Sequence, residues 1–184
     1  DWKSEERFEK MGFVPLENPE VVENKGFICI DHLTNNVRNG EMAKWCDFYK
    51  EIFGFTEVRY FDIRGAKTGL TSFALKAPGN GFCIPINEGT ESKSQINEYL
   101  EEYNGPGVQH LAFLTHDIVR SIDTLKNTSI ETLDIDAEYY REVFDRVPNV
   151  TEEHKALQEK QILVDADEEG YLLQIFTKNI IGPI

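Results

Sequence analysis

Two histidines carry the chemistry this sequence offers most distinctly. His32 and His110 stand 78 residues apart, each in a short apolar run that follows a glycine. The runs are Gly26-Phe27-Ile28-Cys29-Ile30-Asp31-His32-Leu33 and Gly105-Pro106-Gly107-Val108-Gln109-His110-Leu111-Ala112-Phe113-Leu114. Both read as strands, and both carry a His-Leu pair. Imidazole is a ligand for Zn, Cu, Fe or Ni. Two imidazoles presented from the first strands of a duplicated small module make a candidate metal site. With one carboxylate they would form the ligand set of non-haem Fe(II) oxygenases, which leaves positions open for substrate and O2. A single strand histidine is more often a hydrogen-bonded core residue, and the repeated setting is what lifts this pair above that reading.

A third ligand is harder to find. Asp31 neighbours His32, so simple strand alternation turns it to the opposite face. Asp165, Asp167, Glu168 and Glu169 sit at a hairpin and read as turn residues. His116 at a strand-to-helix corner and His154, flanked by Glu152, Glu153 and Lys155, read as surface residues. Gln174 and Phe176 lie two apart in a last strand and share a face, as a polar aromatic ligand would require; a core Phe beside a bonded Gln fits the spacing equally well. No nucleophile elbow, phosphate loop or dinucleotide fingerprint occurs, so a serine hydrolase or nucleotide enzyme has no support.

The elements that must position these residues follow from periodicity and turn signals. Residues 1–25 are charged, contain Pro15 and Pro19, and read as a leader or interdomain connection with at most a short helix. Phe27 to His32 forms a first strand, and the turn formers from Thr34 to Gly40 read as a loop. Met42, Trp45, Cys46, Tyr49, Ile52 and Phe53 make one apolar stripe, which predicts a helix from Glu41 to Phe53 stopped by Gly54. Strands follow at Thr56 to Asp62, Thr71 to Lys76 and Gly81 to Asn87, the last two after the Gly65/Gly69 and Pro78-Gly79-Asn80-Gly81 turns. After a polar loop at 88–93, Ser94 opens a helix to Tyr103. That completes a βαβββ module over 26–104. A second module over 105–184 opens with a strand from Val108 to Thr115. A helix after Asp117, inserted helices at Asp136 to Val147 and Thr151 to Lys160, and a hairpin of Ile162 to Asp165 with Gly170 to Thr177 follow. It shows three of its four strands. The fold class is α+β, with paired βαβββ modules forming an open barrel and the second module incomplete.

Composition sets the boundaries. The 184 residues are 40% hydrophobic with 12 Phe, enough for a buried core. A formal charge of −14 argues against nucleic acid and anionic membranes, which need basic patches. Cys29, Cys46 and Cys83 are unclustered, so a disulfide framework is not expected and a reducing cytoplasm is. No apolar run reaches the roughly 18–20 residues of a membrane span. The chain starts without Met or a signal core and reads as a piece of something longer.

Several segments, in order, resemble the C-terminal catalytic domain of the 4-hydroxyphenylpyruvate dioxygenases. They are Asp31-His32-Leu33, Pro85-Ile86-Asn87-Glu88, Lys93-Ser94-Gln95-Ile96, Gly107-Val108-Gln109-His110-Leu111-Ala112, Ile162-Leu163-Val164-Asp165 and Gly170-Tyr171-Leu172-Leu173-Gln174-Ile175-Phe176-Thr177-Lys178. The resemblance runs from about residue 26 to the end. It implies the vicinal-oxygen-chelate fold, an Fe(II) cofactor held by His32 and His110 with a glutamate, and conversion of 4-hydroxyphenylpyruvate and O2 to homogentisate and CO2 in tyrosine and phenylalanine catabolism. The family's glutamate follows the Gln-Ile-Phe-Thr-Lys segment by roughly a dozen residues. The expectation is therefore that this chain lacks one iron ligand and is an inactive fragment of a cytoplasmic enzyme that is a homo-oligomer at full length. The resemblance assigns substrate contacts to Ser72, Pro85, Asn87, Gln95, Gln109, Gln174 and Phe176, with Asn87, Gln95 and Gln174 as catalytic positions. Simple alternation beside His110 turns Gln109 outward, against that assignment. Alternatives are a hydroxymandelate synthase-like enzyme, which hydroxylates the benzylic carbon, and a metal-free binding module of the same fold.

Overall fold

A computed structural model describes residues 4, 6–19, 23–64, 69–90, 94–168 and 170–184. The turn at Gly65, positions 91–93 of the polar loop and Glu169 lie outside them. A short α1 (Arg7–Lys10) lies within the first 25 residues, where at most a short helix is expected. Five strands then form one mixed sheet: β1 (Phe27–Val37), β2 (Thr56–Arg64), β3 (Gly69–Lys76), β4 (Cys83–Gly89) and β5 (Gly107–Thr115), in the order β2-β3-β4-β1-β5. The central strand β1 runs parallel to β4 and antiparallel to β5.

β1 is longer than the sequence suggests. Thr34, Asn35, Asn36 and Val37, expected in a loop, are its most buried residues. Turn-forming side chains are tolerated there because each has a partner or a polar cavity to face. Thr34 bonds His110, and Asn35 Nδ2 donates to the Tyr49 hydroxyl at 3.0 Å. Ladders on both sides satisfy the backbone, so tertiary context overrides the local preference.

Alternation then sorts the sheet into two faces. Val37, Leu75, Ile84 and Ile86 pack with Cys46 and Phe55 into the main core, and Met42, Trp45 and Tyr49 of α2 (Met42–Phe53) close over them. The end of the α2 stripe departs from expectation. Ile52 and Phe53 are exposed, and Phe53 packs along its own helix against Phe48 and Tyr49. Gly54 ends α2 with φ 69°, a left-handed cap suited to glycine. Glu88, on β4, accepts from the Met42 N–H at 2.9 Å, so a carboxylate from the sheet caps the positive end of the helix.

The opposite face carries Pro85 and Asn87, interleaved with Ile84 and Ile86, and is partly covered by α3 (Gln95–Glu102). Ser94 caps α3 by accepting from the Asn97 N–H at 3.3 Å. Gly107 lets β5 pass beneath this helix, for a Cβ there would lie 2.3 Å from Tyr103 Cε1 and 2.9 Å from the Tyr99 hydroxyl. The Tyr99 hydroxyl in turn donates to the Val108 carbonyl at 2.9 Å. Gly107→Ala is expected to lower stability by about 1–3 kcal/mol, because the Tyr99–Tyr103 stack must move. Urea unfolding measures it, and an unchanged midpoint would show that the stack yields freely.

The remainder forms a second cluster. α4 (Ile118–Leu125) is capped by Asp117, and α5 (Ala137–Arg146) by Asp136. Tyr140, Val143, Val147, Leu157 of α6 (His154–Glu159), Ile162 and Val164 make its core. Tyr139 and Tyr140 donate to the carbonyls of Val164 and Ile162 and so tie α5 to the hairpin of β6 (Leu163–Ala166) and β7 (Tyr171–Gln174). β7 stops at Gln174, short of the expected Thr177, because residues 176–178 pair instead with 131–133: Leu133 N donates to Phe176 O and Lys178 N to Glu131 O. His154 is exposed, as expected, but stacks on Phe144 at 3.8 Å. Among the described residues the strands stay open, as expected, with five in one sheet and two in the other. Among the described residues no helix is long and apolar enough to cross a membrane.

Candidate metal centre

The register between β1 and β5 decides where each imidazole and its chain neighbour point. Ile30 opposes Phe113 and His32 opposes Ala112, so β1 advances two residues while β5 advances one. Asp31 is the extra residue of a β-bulge. Between Thr34–His110 and Asn35–Val108 the count reverses, and Gln109 is the extra residue, now on β5. A bulge breaks the alternation of the bulged strand and re-aims a side chain. The two residues that simple alternation turns away from the histidines are therefore brought beside them. Asp31 Oδ2 accepts from His32 Nδ1–H at 2.8 Å, and Gln109 Oε1 accepts from His110 Nδ1–H at 2.5 Å.

With both Nδ1 atoms donating, each neutral ring keeps its lone pair on Nε2. The two Nε2 atoms stand 3.4 Å apart, and the Thr34 hydroxyl donates to the His110 Nε2 lone pair at 3.0 Å, a bond that a metal on that nitrogen would replace. Two nitrogens on one ion at about 2.1 Å, subtending roughly 90–110°, stand about 3.0–3.4 Å apart. The observed spacing fits a shared metal ion. Burial, and secondarily the neighbouring His32 ring, push the His110 imidazole down to about 4, so it is neutral and able to ligate at neutral pH. Phe176 sets its ring edge-to-face against His110 with centroids 6.0 Å apart. Among the described residues no third His, Cys, Asp or Glu joins the pair. Asp31 does not serve, since its carboxylate is engaged with the far nitrogen of the ring.

Beside the pair lies a cavity of about 160 Å3. Asn36, Asn87, Ser94, Gln95 and Gln109 supply its polar wall, and Leu70, Ile96 and Tyr99 the rest. Gln109 belongs to both features, holding His110 and lining the cavity. Burial pushes the Tyr99 phenol up to about 12, so it stays a donor to the Val108 carbonyl. Three residues assigned from sequence, Asn87, Gln95 and Gln109, thus meet in one cavity, while Phe176 meets the imidazoles. Ser72 is buried opposite Asn87 in the β3–β4 ladder, and Pro85 sits two residues from Asn87 on the same face, but neither lines the cavity. Gln174 lies on the separate hairpin, apart from the cavity. Thr34 and Asn36 went unassigned in the sequence. Continuing the alternation from His32 through positions 34 and 36 would have found both.

Comparison with known proteins places this geometry. Residues 29–175 match the family described as Glyoxalase/Bleomycin resistance protein/Dioxygenase superfamily. The chain is 59% identical over 173 residues to Protein MelA of Shewanella colwelliana, covering 94% of this chain and 50% of that one. It is 44% identical over 172 residues to a 4-hydroxyphenylpyruvate dioxygenase of Legionella pneumophila, covering 92% of this chain and 49% of the relative. A mutant 4-hydroxymandelate synthase from Streptomyces coelicolor superposes with a TM-score of 0.70 at 30% identity, over 81% of this chain and 43% of that one. The chain spans about half the length of the curated relatives it matches. Its open α+β architecture and its match over most of the sequence agree: the chain belongs to the Glyoxalase/Bleomycin resistance protein/Dioxygenase superfamily.

Proposed function

We propose that this chain carries iron- and substrate-binding elements of an Fe(II)-dependent 4-hydroxyphenylpyruvate dioxygenase, which forms homogentisate and CO2 in tyrosine breakdown. The observation that supports it most is the 3.4 Å separation of the His32 and His110 Nε2 atoms beside an amide-lined cavity. His32 and His110 would hold the ion, with a further donor from outside the described residues. Bound iron would supply oxoacid chelation and O2 chemistry. The protein's part is orientation. Asn87 and Gln95 offer donors and acceptors to the polar ends of the substrate, and Phe176 offers a ring face near the metal. Ser72 and Pro85 would support Asn87 from the β3–β4 ladder, and Gln174 would have to reach the substrate from the separate hairpin. On this reading 26–104 and 105–184 act as paired modules, and the full-length protein works in the cytoplasm as a homo-oligomer.

The structural likeness to a 4-hydroxymandelate synthase supports a second reading, benzylic rather than ring hydroxylation of the same oxoacid. A single-turnover assay separates them. The chain, stoichiometric Fe(II) and 4-hydroxyphenylpyruvate are mixed anaerobically, O2 is admitted, and products are identified by mass spectrometry. With no third donor among the described residues, at most a trace of product is expected, and on the first reading that trace is homogentisate. 4-Hydroxymandelate would favour the second reading, and a chain that takes up no Fe(II) would contradict both.

A further inference from the structure

We propose that the bulges at Asp31 and Gln109 are a matched positioning device, locking His32 and His110 in the Nδ1–H tautomer and aiming both Nε2 lone pairs at one ion. The proposal rests on the reading that the pair holds a metal. Of the three register shifts between β1 and β5, the one at Asp31 on β1 and the one at Gln109 on β5 each insert the extra residue immediately before a histidine; the third, at Ile28, lies away from the pair. Without that insertion the preceding side chain would face away and the imidazole would be free to change tautomer or rotate. With it, an oxygen that can only accept stands 2.8 Å from His32 Nδ1 and 2.5 Å from His110 Nδ1. The partner of one ring nitrogen sets which nitrogen carries the proton. Such outer partners also orient a metal-binding ring and raise its basicity.

The two acceptors differ in charge, and burial explains why. Asp31 is about half exposed, with 54% of its side-chain surface open to solvent, so its carboxylate stays hydrated. His110 is the more enclosed ring, and its partner is a neutral amide. A second carboxylate there would leave a charge in a poorly solvated place. Asp31 and Gln109 therefore act through the histidines as positioning residues, and Gln109 links the metal pair to the cavity wall.

The test reads tautomers in the metal-free chain by two-bond proton–nitrogen NMR of the imidazoles, above the titration range of free imidazole, and then affinity by Co(II) titration. Wild type is expected to show Nδ1–H at both rings. Asp31→Ala should move His32 alone toward Nε2–H, Gln109→Ala should move His110 alone, and each should weaken Co(II) binding by about 10–100-fold. Asp31→Asn keeps an acceptor oxygen and should restore both readouts at His32, whereas Gln109→Glu should restore the His110 tautomer at a cost in stability for its poorly solvated charge, with unchanged far-UV circular dichroism as the folding control. Co(II) binding and tautomers that are the same in wild type and the Ala variants would overturn the device while leaving the metal reading intact. Both Nδ1–H tautomers in a wild type that takes up no Co(II) would support the lock and sink the metal reading.

Discussion

His110→Ala should abolish metal retention. Losing an outer hydrogen bond to a ligand costs about 10–100-fold in affinity, so losing the ligand itself should cost more than about 100-fold. His110 is the more telling of the pair because it already sits neutral: burial holds its imidazole at about 4, and no proton must leave for a metal to enter at neutral pH. Its removal also strands Gln109 and Thr34, which both bond to it, at a further cost of about 1–3 kcal/mol in fold stability. Co(II) or Fe(II) titration reads the first effect and thermal unfolding the second. His32→Ala should match it in metal binding with a smaller stability change, since His32 is the more open ring. Retained affinity in either variant would mean that the ion sits elsewhere.

Ile86→Ala should produce the largest loss of stability, about 2–5 kcal/mol, against about 0.5–1.5 kcal/mol for Ile86→Val. Ile86 is 0% exposed at the centre of the main core. It is paired with Asn35 on one side and Phe73 on the other, so no single neighbour can collapse into the space. The consequence reaches the site, because Pro85 and Asn87 flank Ile86 and face the other side of the same strand. Urea unfolding of both variants measures the graded loss, and a cost below about 1 kcal/mol for the Ala variant would show a core looser than this packing implies.

Much of this architecture is readable from local signals. The α2 stripe, the Gly54 stop, the Ser94 and Asp117 caps and the strand expected from Val108 to Thr115 all follow from residue types and spacing. The failures share one cause, which is pairing. Thr34, Asn35 and Asn36 look like a loop until strands on both sides give them partners. Ile52 and Phe53 continue a helical stripe past the point where the sheet needs it. Asp31 and Gln109 look misdirected because alternation assumes an unbroken ladder, whereas bulges depend on which residues of two distant strands oppose each other. The imidazole pair was visible through its repeated setting. The device that aims it was not, since register belongs to the folded pair of strands and not to either segment.

The most direct measurement is the visible absorbance of the Fe(II)-loaded chain when 4-hydroxyphenylpyruvate is added without oxygen. An oxoacid chelated to iron held by His32 and His110 should give a charge-transfer band in the wild type and none in His110→Ala. A band that survives removal of both histidines, or iron that binds to them without any colour on adding the oxoacid, would contradict the account.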